Sequence, residues 1–279
     1  MTGLTAAYLS VHTPRYCTYE AAFANVVAHP DFQMVRDGLV AQGQHLAGVA
    51  PDIIVLNSCH LITTFPTVVD GTPRHQGVLT AQEAPDLIKG MAYDFPGHYT
   101  FGSTLVARGR AAGLMCTLAN DIHYPLDYGT VAPLVCYLDR SQRIPVVPIS
   151  VCLSADLQES FAWGTLVAEA AREADVTAAF VASGSVSHKL VRGPEKWPGP
   201  DEQALDHQFA GMLAAGDFDK LWGWLPEYRE RAEPEMGGRH LAMLLGALIA
   251  SGARFDATVH AYGPSSGSGN YVISLARDA

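Results

Sequence analysis

The sequence predicts an α/β fold, a single-domain sandwich whose central mixed sheet is covered by helices. Three observations carry this. Five short runs, 5–11 (TAAYLSV), 52–58 (DIIVLNS), 113–119 (GLMCTLA), 144–153 (IPVVPISVCL) and 177–184 (TAAFVASG), are nearly continuous in apolar residues rather than alternating, the pattern of strands buried on both faces. Segments with helical spacing lie between them, and alternation of strand and helix gives a mixed or largely parallel sheet. The chain is 48% hydrophobic and only 16% charged, against about 25% charged in an ordinary soluble domain. A large core follows, together with buried subunit contacts, so a dimer or tetramer is expected.

The elements follow in order. The first strand, 5–11, runs up to His12. A helix over 30–49 places Val35, Leu39 and Leu46 near one face. The second strand, 52–58, precedes His60, and strands at 113–119 and 144–153 follow. The helix at 157–174 begins after Ser154 and Asp156, both good N-cap residues. The fifth strand breaks at Gly184, and His188 lies just past the break. The stretch 192–203 (RGPEKWPGPDEQ) is rich in Pro and Gly and reads as a surface loop near the mouth of a site. It is too short to divide the chain, so residues 1–279 are expected to form one domain. Residues 235–251 are apolar along most of their length and predict a buried helix. The ending, 257–276, reads as two strands joined by a Gly/Ser turn.

The charge balance narrows the function. The net charge is −10 with no basic cluster, which argues against nucleic acid, whose phosphates need grouped Lys and Arg. No run reaches the roughly 18 uncharged apolar residues of a membrane span, and residues 1–16 lack the basic and apolar regions of a signal peptide. A cytoplasmic protein is expected. The five cysteines, Cys17, Cys59, Cys116, Cys136 and Cys152, are scattered and never form a CxxC pair, as reduced, mostly buried thiols do. The segment SSGSGN, 265–270, follows a strand, but no helix opens after it, so it is not a phosphate loop.

The chemistry gathers at strand ends. His12 follows the first strand, His60 the second and His188 the fifth. Ligands of open α/β folds bind off the carboxyl ends of strands, and neutral imidazoles there are common metal ligands. Each histidine alone has a structural reading as a turn or strand-end residue. His29, His45, His75, His98, His207, His240 and His260 have no motif support and read as solvated or packing residues.

Six strings in a fixed order add a resemblance: VHTPR at 11–15, NSCHL at 57–61, LDYGTVAPL at 126–134, VASGSVSH at 181–188, LPEYRERAEPEMGG at 225–238 and SSGSGN at 265–270. The chain resembles the type III extradiol ring-cleaving dioxygenases, which include the protocatechuate 4,5-dioxygenase catalytic subunits. It is most similar to the branch of 3,4-dihydroxyphenylacetate 2,3-dioxygenase and 2-aminophenol 1,6-dioxygenase. The likeness runs nearly end to end.

The resemblance implies a non-haem Fe(II) held by His12, His60 and Glu235, with Glu233 two residues upstream as the alternative carboxylate. The distance from LPEY to the following LLG fits Glu235 without a gap. A face of two histidines and one carboxylate leaves coordination positions open for a chelating diol or aminophenol and for O2. The resemblance also implies that His188 is an acid–base group rather than a ligand, with Gly184 letting backbone and substrate approach. Tyr128 replaces the histidine of a DHG motif and is implied to donate to substrate or intermediate. His123 is a further candidate in that loop, and Arg15 a candidate clamp for a substrate carboxylate or ring substituent. Two other readings of the same residues stay open: a non-catalytic partner subunit paired with a homologous chain, and a zinc hydrolase using the same His/His/Glu set.

Overall fold

The computed structural model describes residues 2–16, 30–137 and 144–278. Cys17 and His29 lie outside the described residues, as does the side chain of Cys136. The strands are β1 (Gly3–Ser10), β2 (Ile53–Thr63), β3 (Thr67–Asp70), β4 (Arg74–Leu79), β5 (Met91–Pro96), β6 (Cys116–Ala119), β7 (Val146–Cys152), β8 (Thr177–Ser183), β9 (Phe255–Ser265) and β10 (Ser268–Arg277). The helices are α1 (Pro30–Val49), α2 (Tyr99–Ala111), α3 (Tyr128–Tyr137), α4 (Leu157–Glu173), α5 (Pro200–Ala214), α6 (Phe218–Ala232) and α7 (Arg239–Ser251), with a short 3₁₀ turn, Glu235–Gly238, before α7.

Eight strands form one mixed sheet in the order β6-β3-β7-β2-β8-β1-β10-β9, and β4 pairs only with β5. At its centre β7, β2, β8 and β1 run parallel, so β1, β2 and β8 end at the same edge. The pleat sends alternate side chains to opposite faces. Ala7, Leu9, Ile53, Val55, Phe180 and Ala182 join the core under α2, α4 and α7. Ala6, Tyr8, Ile54, Leu56, Ala179 and Val181 join the core under α1, α3 and the β4–β5 hairpin. Both faces are therefore buried, and this is why the strands read as continuous apolar runs.

The predicted helix at 30–49 is α1, with Val35, Leu39 and Leu46 buried. Helix α4 starts at Leu157, and Asp156 is its N-cap, accepting the Glu159 N–H at 2.8 Å. The two terminal strands meet as expected; Ser266 (φ 51°) and Gly267 (φ 85°) form their turn, the left-handed pair that a two-residue hairpin needs. The loop before α5 packs on this turn: Ser266 N–H donates to Pro194 O and Gly267 N–H to Lys196 O.

Several elements differ from the sequence reading. β3 and the β4–β5 hairpin are short and partly polar, so neither gives an apolar run. Helices α2, α3, α5 and α6 were absent from the sequence reading. Strand β2 runs five residues beyond the expected end at Ser58, to Thr63. Residues 235–238 are not the first turn of α7 but a separate left-handed turn, because Met236, Gly237 and Gly238 have φ of 49°, 63° and 76°.

Helices α4 and α7 are held close by a pair of glycines. A Cβ at Gly164 would meet Met243 O at 1.9 Å, and one at Gly246 would meet Phe161 O at 2.0 Å. Gly246→Ala should therefore lower stability by more than about 2 kcal/mol, since the two backbones must separate. Gly211→Ala, in the last turn of α5 with nothing within 4 Å of the new methyl, should raise it by about 0.5 kcal/mol. Urea unfolding of both variants checks the pair; equal effects would mean the helices are not in this contact.

Candidate metal centre

At the shared edge of β1, β2 and β8 the structure brings His12, His60 and Glu235 together. His12 Nε2 lies 3.3 Å and His60 Nε2 3.2 Å from Glu235 Oε1. One ligand atom from each residue lies within 4.8 Å of the others. Glu235 is 2% exposed and His12 4%. Glu233 by contrast caps α6 in a left-handed conformation and reaches outward to Lys189 at 3.5 Å, so Glu235 is the carboxylate that faces the histidines.

Each of the three is held by backbone or side-chain bonds. Ser183 Oγ donates to Gly129 O at 2.6 Å, so the contact at 3.0 Å with His12 Nδ1 is one in which the ring donates. That fixes the tautomer and turns Nε2 toward Glu235, the outer-shell arrangement that metal-binding histidines need. His60 sits inside β2 rather than after it. The pairing with β7 jumps from Ser58↔Ser150 to Ile62↔Val151, and the residues left out of register carry His60. Ser58 Oγ accepts the His60 N–H at 3.0 Å and donates to Asp127 Oδ1 at 2.5 Å. Asp127 also accepts the Thr130 N–H and hydroxyl at the start of α3, a capping contact that fixes the helix bearing Tyr128.

Glu235 opens the left-handed turn. Met236 at φ 49° is strained for a side chain with a Cβ. Arg239 holds the turn: its guanidinium donates to Met236 O at 2.7 Å, Ala155 O at 2.7 Å and Leu153 O at 2.9 Å. The carboxylate's other oxygen, Oε2, accepts the Ser185 N–H at 2.7 Å. Burial alone raises the Glu235 carboxyl, but His12, followed by hydrogen bonds from both histidines, holds it well below the usual carboxylate range. Burial lowers the His12 imidazole, and the Glu235 carboxylate overrides this and raises it.

Tyr128 is the first residue of α3. Its hydroxyl lies 2.6 Å from His60 Nε2 and its ring 4.1 Å from the His60 ring. Burial, then Glu235, raises its pKa, so the phenol keeps its proton. It shares His60 Nε2 with Glu235, so a cation on that nitrogen would free the hydroxyl for another acceptor. Glu83, 63% exposed, lies 4.0 Å from His60 Nδ1 on the other side of the ring.

His188 is partly buried after β8. Its buried Nδ1 has no hydrogen-bond partner among the described residues. Burial lowers its pKa, and Glu235 offsets part of this, so the ring is neutral near pH 7. The side of Gly184 where a side chain would stand is filled by protein. A Cβ there would meet Cys59 Sγ at 2.7 Å and the His240 ring at 2.8 Å, so the glycine admits Cys59 and His240 behind the site. Arg15 is half-buried on the turn after His12 and makes no hydrogen bond or ion pair with a described residue. His123 is exposed; its backbone N–H donates to Asp121 Oδ1, and no contact joins its ring to the trio.

The sequence reading missed the supporting set. Ser183 and Ser185 lie within the quoted VASGSVSH string, but a serine near a strand end signals nothing by itself. Asn270 Oδ1 accepts Thr13 Oγ1 and Ser185 Oγ, both at 3.1 Å, and so ties the loops after β1 and β8 together. Cys59 is fully buried and burial pushes its thiol up, which makes it a packing residue rather than a redox-sensitive one. Cys59, Cys116 and Cys152 are all free. Among the other histidines, His98 caps α2, accepting the Phe101 N–H at 3.1 Å. His75 is buried, with Nε2 3.2 Å from Val146 O. No described helix is long and apolar enough to cross a membrane.

His240 takes the packing role expected of it, with its ring against Gly184 behind the site. It is fully buried and neither ring nitrogen has a hydrogen bond among the described residues. Burial lowers its pKa to about 4. An unfolded chain protonates this ring near the usual value of about 6.5, so the neutral folded form contributes stability above that pH. The contribution is lost as pH falls from about 6.5 toward 4 and amounts to about 3 kcal/mol. Urea unfolding of metal-free protein between pH 7.5 and 4.5 should show this loss, and His240→Asn should flatten it. An unchanged slope in the variant would place the effect elsewhere.

Comparison with known proteins agrees with this geometry. The family model for the catalytic LigB subunit of aromatic ring-opening dioxygenase matches residues 6–273, a span that includes the whole trio. The 3,4-dihydroxyphenylacetate 2,3-dioxygenase of Escherichia coli is 26% identical over 221 residues, 77% of this chain and 79% of that protein. The beta subunit of 2-aminophenol 1,6-dioxygenase from Pseudomonas sp is 24% identical, covering 80% of this chain and 77% of that one. The alpha subunit of that enzyme is 25% identical, with 84% and 87% covered. The crystal structure of an uncharacterized protein from Escherichia coli K12 matches with a TM-score of 0.65 over 98% of this chain and 99% of that one, at 20% identity; it shows the same fold. The chain belongs to the family of catalytic LigB subunits of aromatic ring-opening dioxygenases.

Proposed function

We propose that the protein is a non-haem Fe(II)-dependent extradiol dioxygenase that opens a catechol-like or 2-aminophenol-like ring with O2 to a semialdehyde acid. The observation that carries this is the convergence of two imidazole nitrogens on one buried carboxylate oxygen, at 3.2 and 3.3 Å. With metal–ligand bonds of about 2.1 Å, neighbouring ligands of a six-coordinate ion stand about 3.0 Å apart, so each imidazole is near ligand spacing from the carboxylate while the trio as a whole, within 4.8 Å, must draw together around an ion. His12 supports the fit further, because Ser183 and Gly129 already fix the tautomer that bares Nε2. Two histidines and one carboxylate on one face are the donor set of non-haem Fe(II) oxygenases. When bound, Fe(II) supplies adjacent open positions for the two ring heteroatoms and O2, and a path for electron density between them.

The chain's own residues divide the proton work. His188, neutral through burial, accepts a proton from a ring hydroxyl and later returns it. Tyr128, kept protonated, donates a hydrogen bond to the substrate oxygen or to oxygen derived from O2. Two groups whose pKa values are pushed apart suit opposite roles. Arg15 is the candidate partner for an anionic ring substituent, and His123 takes no assigned role. The names of the two aminophenol dioxygenase subunits support an assembly with a second, homologous chain.

Anaerobic reconstitution with Fe(II), followed by air and a panel of catechols and 2-aminophenols, tests the reading. A yellow ring-opened product that depends on iron is expected. His12→Ala should lose iron retention. His188→Gln should keep iron and lose about 10²-fold in turnover. In the parent enzyme kcat/KM should fall as acid protonates His188, and the variant should lose that limb. Zinc retention without iron retention would instead favour the hydrolase reading.

A further inference from the structure

Asp206 lies on α5, away from the metal ligands in sequence, and is fully buried. Four donors meet on its carboxylate. Oδ1 accepts the Ser187 N–H at 3.1 Å and the Tyr228 hydroxyl at 2.7 Å. Oδ2 accepts the Ser187 hydroxyl at 2.6 Å and the Tyr262 hydroxyl at 2.7 Å. Tyr228 is on α6 and Tyr262 on β9, so one carboxylate joins α5, α6, β9 and the loop after β8. A buried charge is costly unless its hydrogen bonds are all made, and here both oxygens are doubly used.

The loop it holds is the one that serves the site. Ser185 N–H donates to Glu235 Oε2. Ser187 pairs with Pro234, the residue before Glu235, and His188 pairs with Ser268 at the start of β10. Residues 185–188 therefore touch the carboxylate ligand at one end and carry His188 at the other, and their middle is fixed by Asp206. Gly269 passes close by: its N–H donates to Ser187 O at 2.9 Å and it accepts the Val186 N–H at 2.9 Å.

We propose that Asp206 is a positioning residue that sets the height of His188 over the metal centre and the orientation of Glu235, by clamping Ser187 through its N–H and hydroxyl. It touches no ligand atom, so its effect passes through the 185–188 loop. The inference rests on His188 being the acid–base group, and the experiment separates the two.

Four Fe(II)-loaded proteins are compared: His188→Gln, Asp206→Asn, Ser187→Ala and the double variant His188→Gln/Asp206→Asn. Ser187→Ala removes only one hydrogen bond to the clamp and covers the case in which Asp206→Asn folds poorly. Both clamp variants should lose about 10- to 100-fold in kcat, with KM changed less than about threefold. The double variant should be no slower than His188→Gln alone, as expected of residues that act as a unit. A second readout needs no turnover: hydrogen–deuterium exchange in metal-free protein should rise about 10-fold or more over 184–188 and stay unchanged in β1 and α4. Loss of activity that multiplies in the double variant, or exchange that rises evenly across the protein, would show Asp206 to be a general structural residue. Unchanged kcat and unchanged exchange in both clamp variants would overturn the clamp outright. Full turnover by His188→Gln would overturn the acid–base reading alone, and the exchange result would then decide the clamp.

Discussion

A carboxylate buried between two imidazoles is the constraint on which this structure depends. Glu235 is 2% exposed and within 3.3 Å of both histidine nitrogens. A buried carboxylate without partners is strongly unfavourable, so everything near it is arranged to keep it ionised and still. His12 and His60 take one oxygen and the Ser185 N–H takes the other. The cost of this placement appears in the backbone: three successive residues after Glu235 are left-handed, and only two are glycines. Arg239 bonds three carbonyls to hold the turn.

The sheet explains why the partners meet. Parallel β1, β2 and β8 end on one edge, so residues remote in sequence arrive together. The edge is then tied by short polar links: Asn270 between the loops after β1 and β8, Asp127 between β2 and α3, and Asp206 between α5 and the loop of His188. These links leave the Nε2 atoms of His12 and His60 facing Glu235 rather than backbone. Burial raises the pKa of Tyr128 and lowers that of His188. One physical cause, loss of water around each group, thus moves the two groups in opposite directions while keeping both uncharged.

Much of the fold was legible in the sequence for a plain reason. A sheet covered on both faces demands continuous apolar strands, and β1, β7 and β8 obey this. Helices α1 and α4 were legible from their spacing, and α4 also from its Asp156 N-cap. The elements that were not legible are those whose burial is partial or whose residues serve something else. β3 has four residues and β4–β5 pairs away from the main sheet. α3 begins at Tyr128 within a string whose meaning was chemical rather than helical. α5 and α6 were hidden among charges on their outer faces.

The sequence by itself determined the class of fold, marked three histidines at or near strand ends and, through ordered strings, pointed to Glu235 with Glu233 as the alternative. It did so because strand-end placement and donor type are local properties of the chain. Only the tertiary structure decided that His60 projects from an irregular stretch inside β2, that His12 has its tautomer fixed by Ser183, and that Glu235 rather than Glu233 faces inward. It alone placed His240 behind the site with no hydrogen bond among the described residues, and Asp206 beneath the His188 loop. These facts depend on contacts between residues tens to hundreds apart in the chain, where burial and partner choice are set by packing and not by any spacing that the sequence displays.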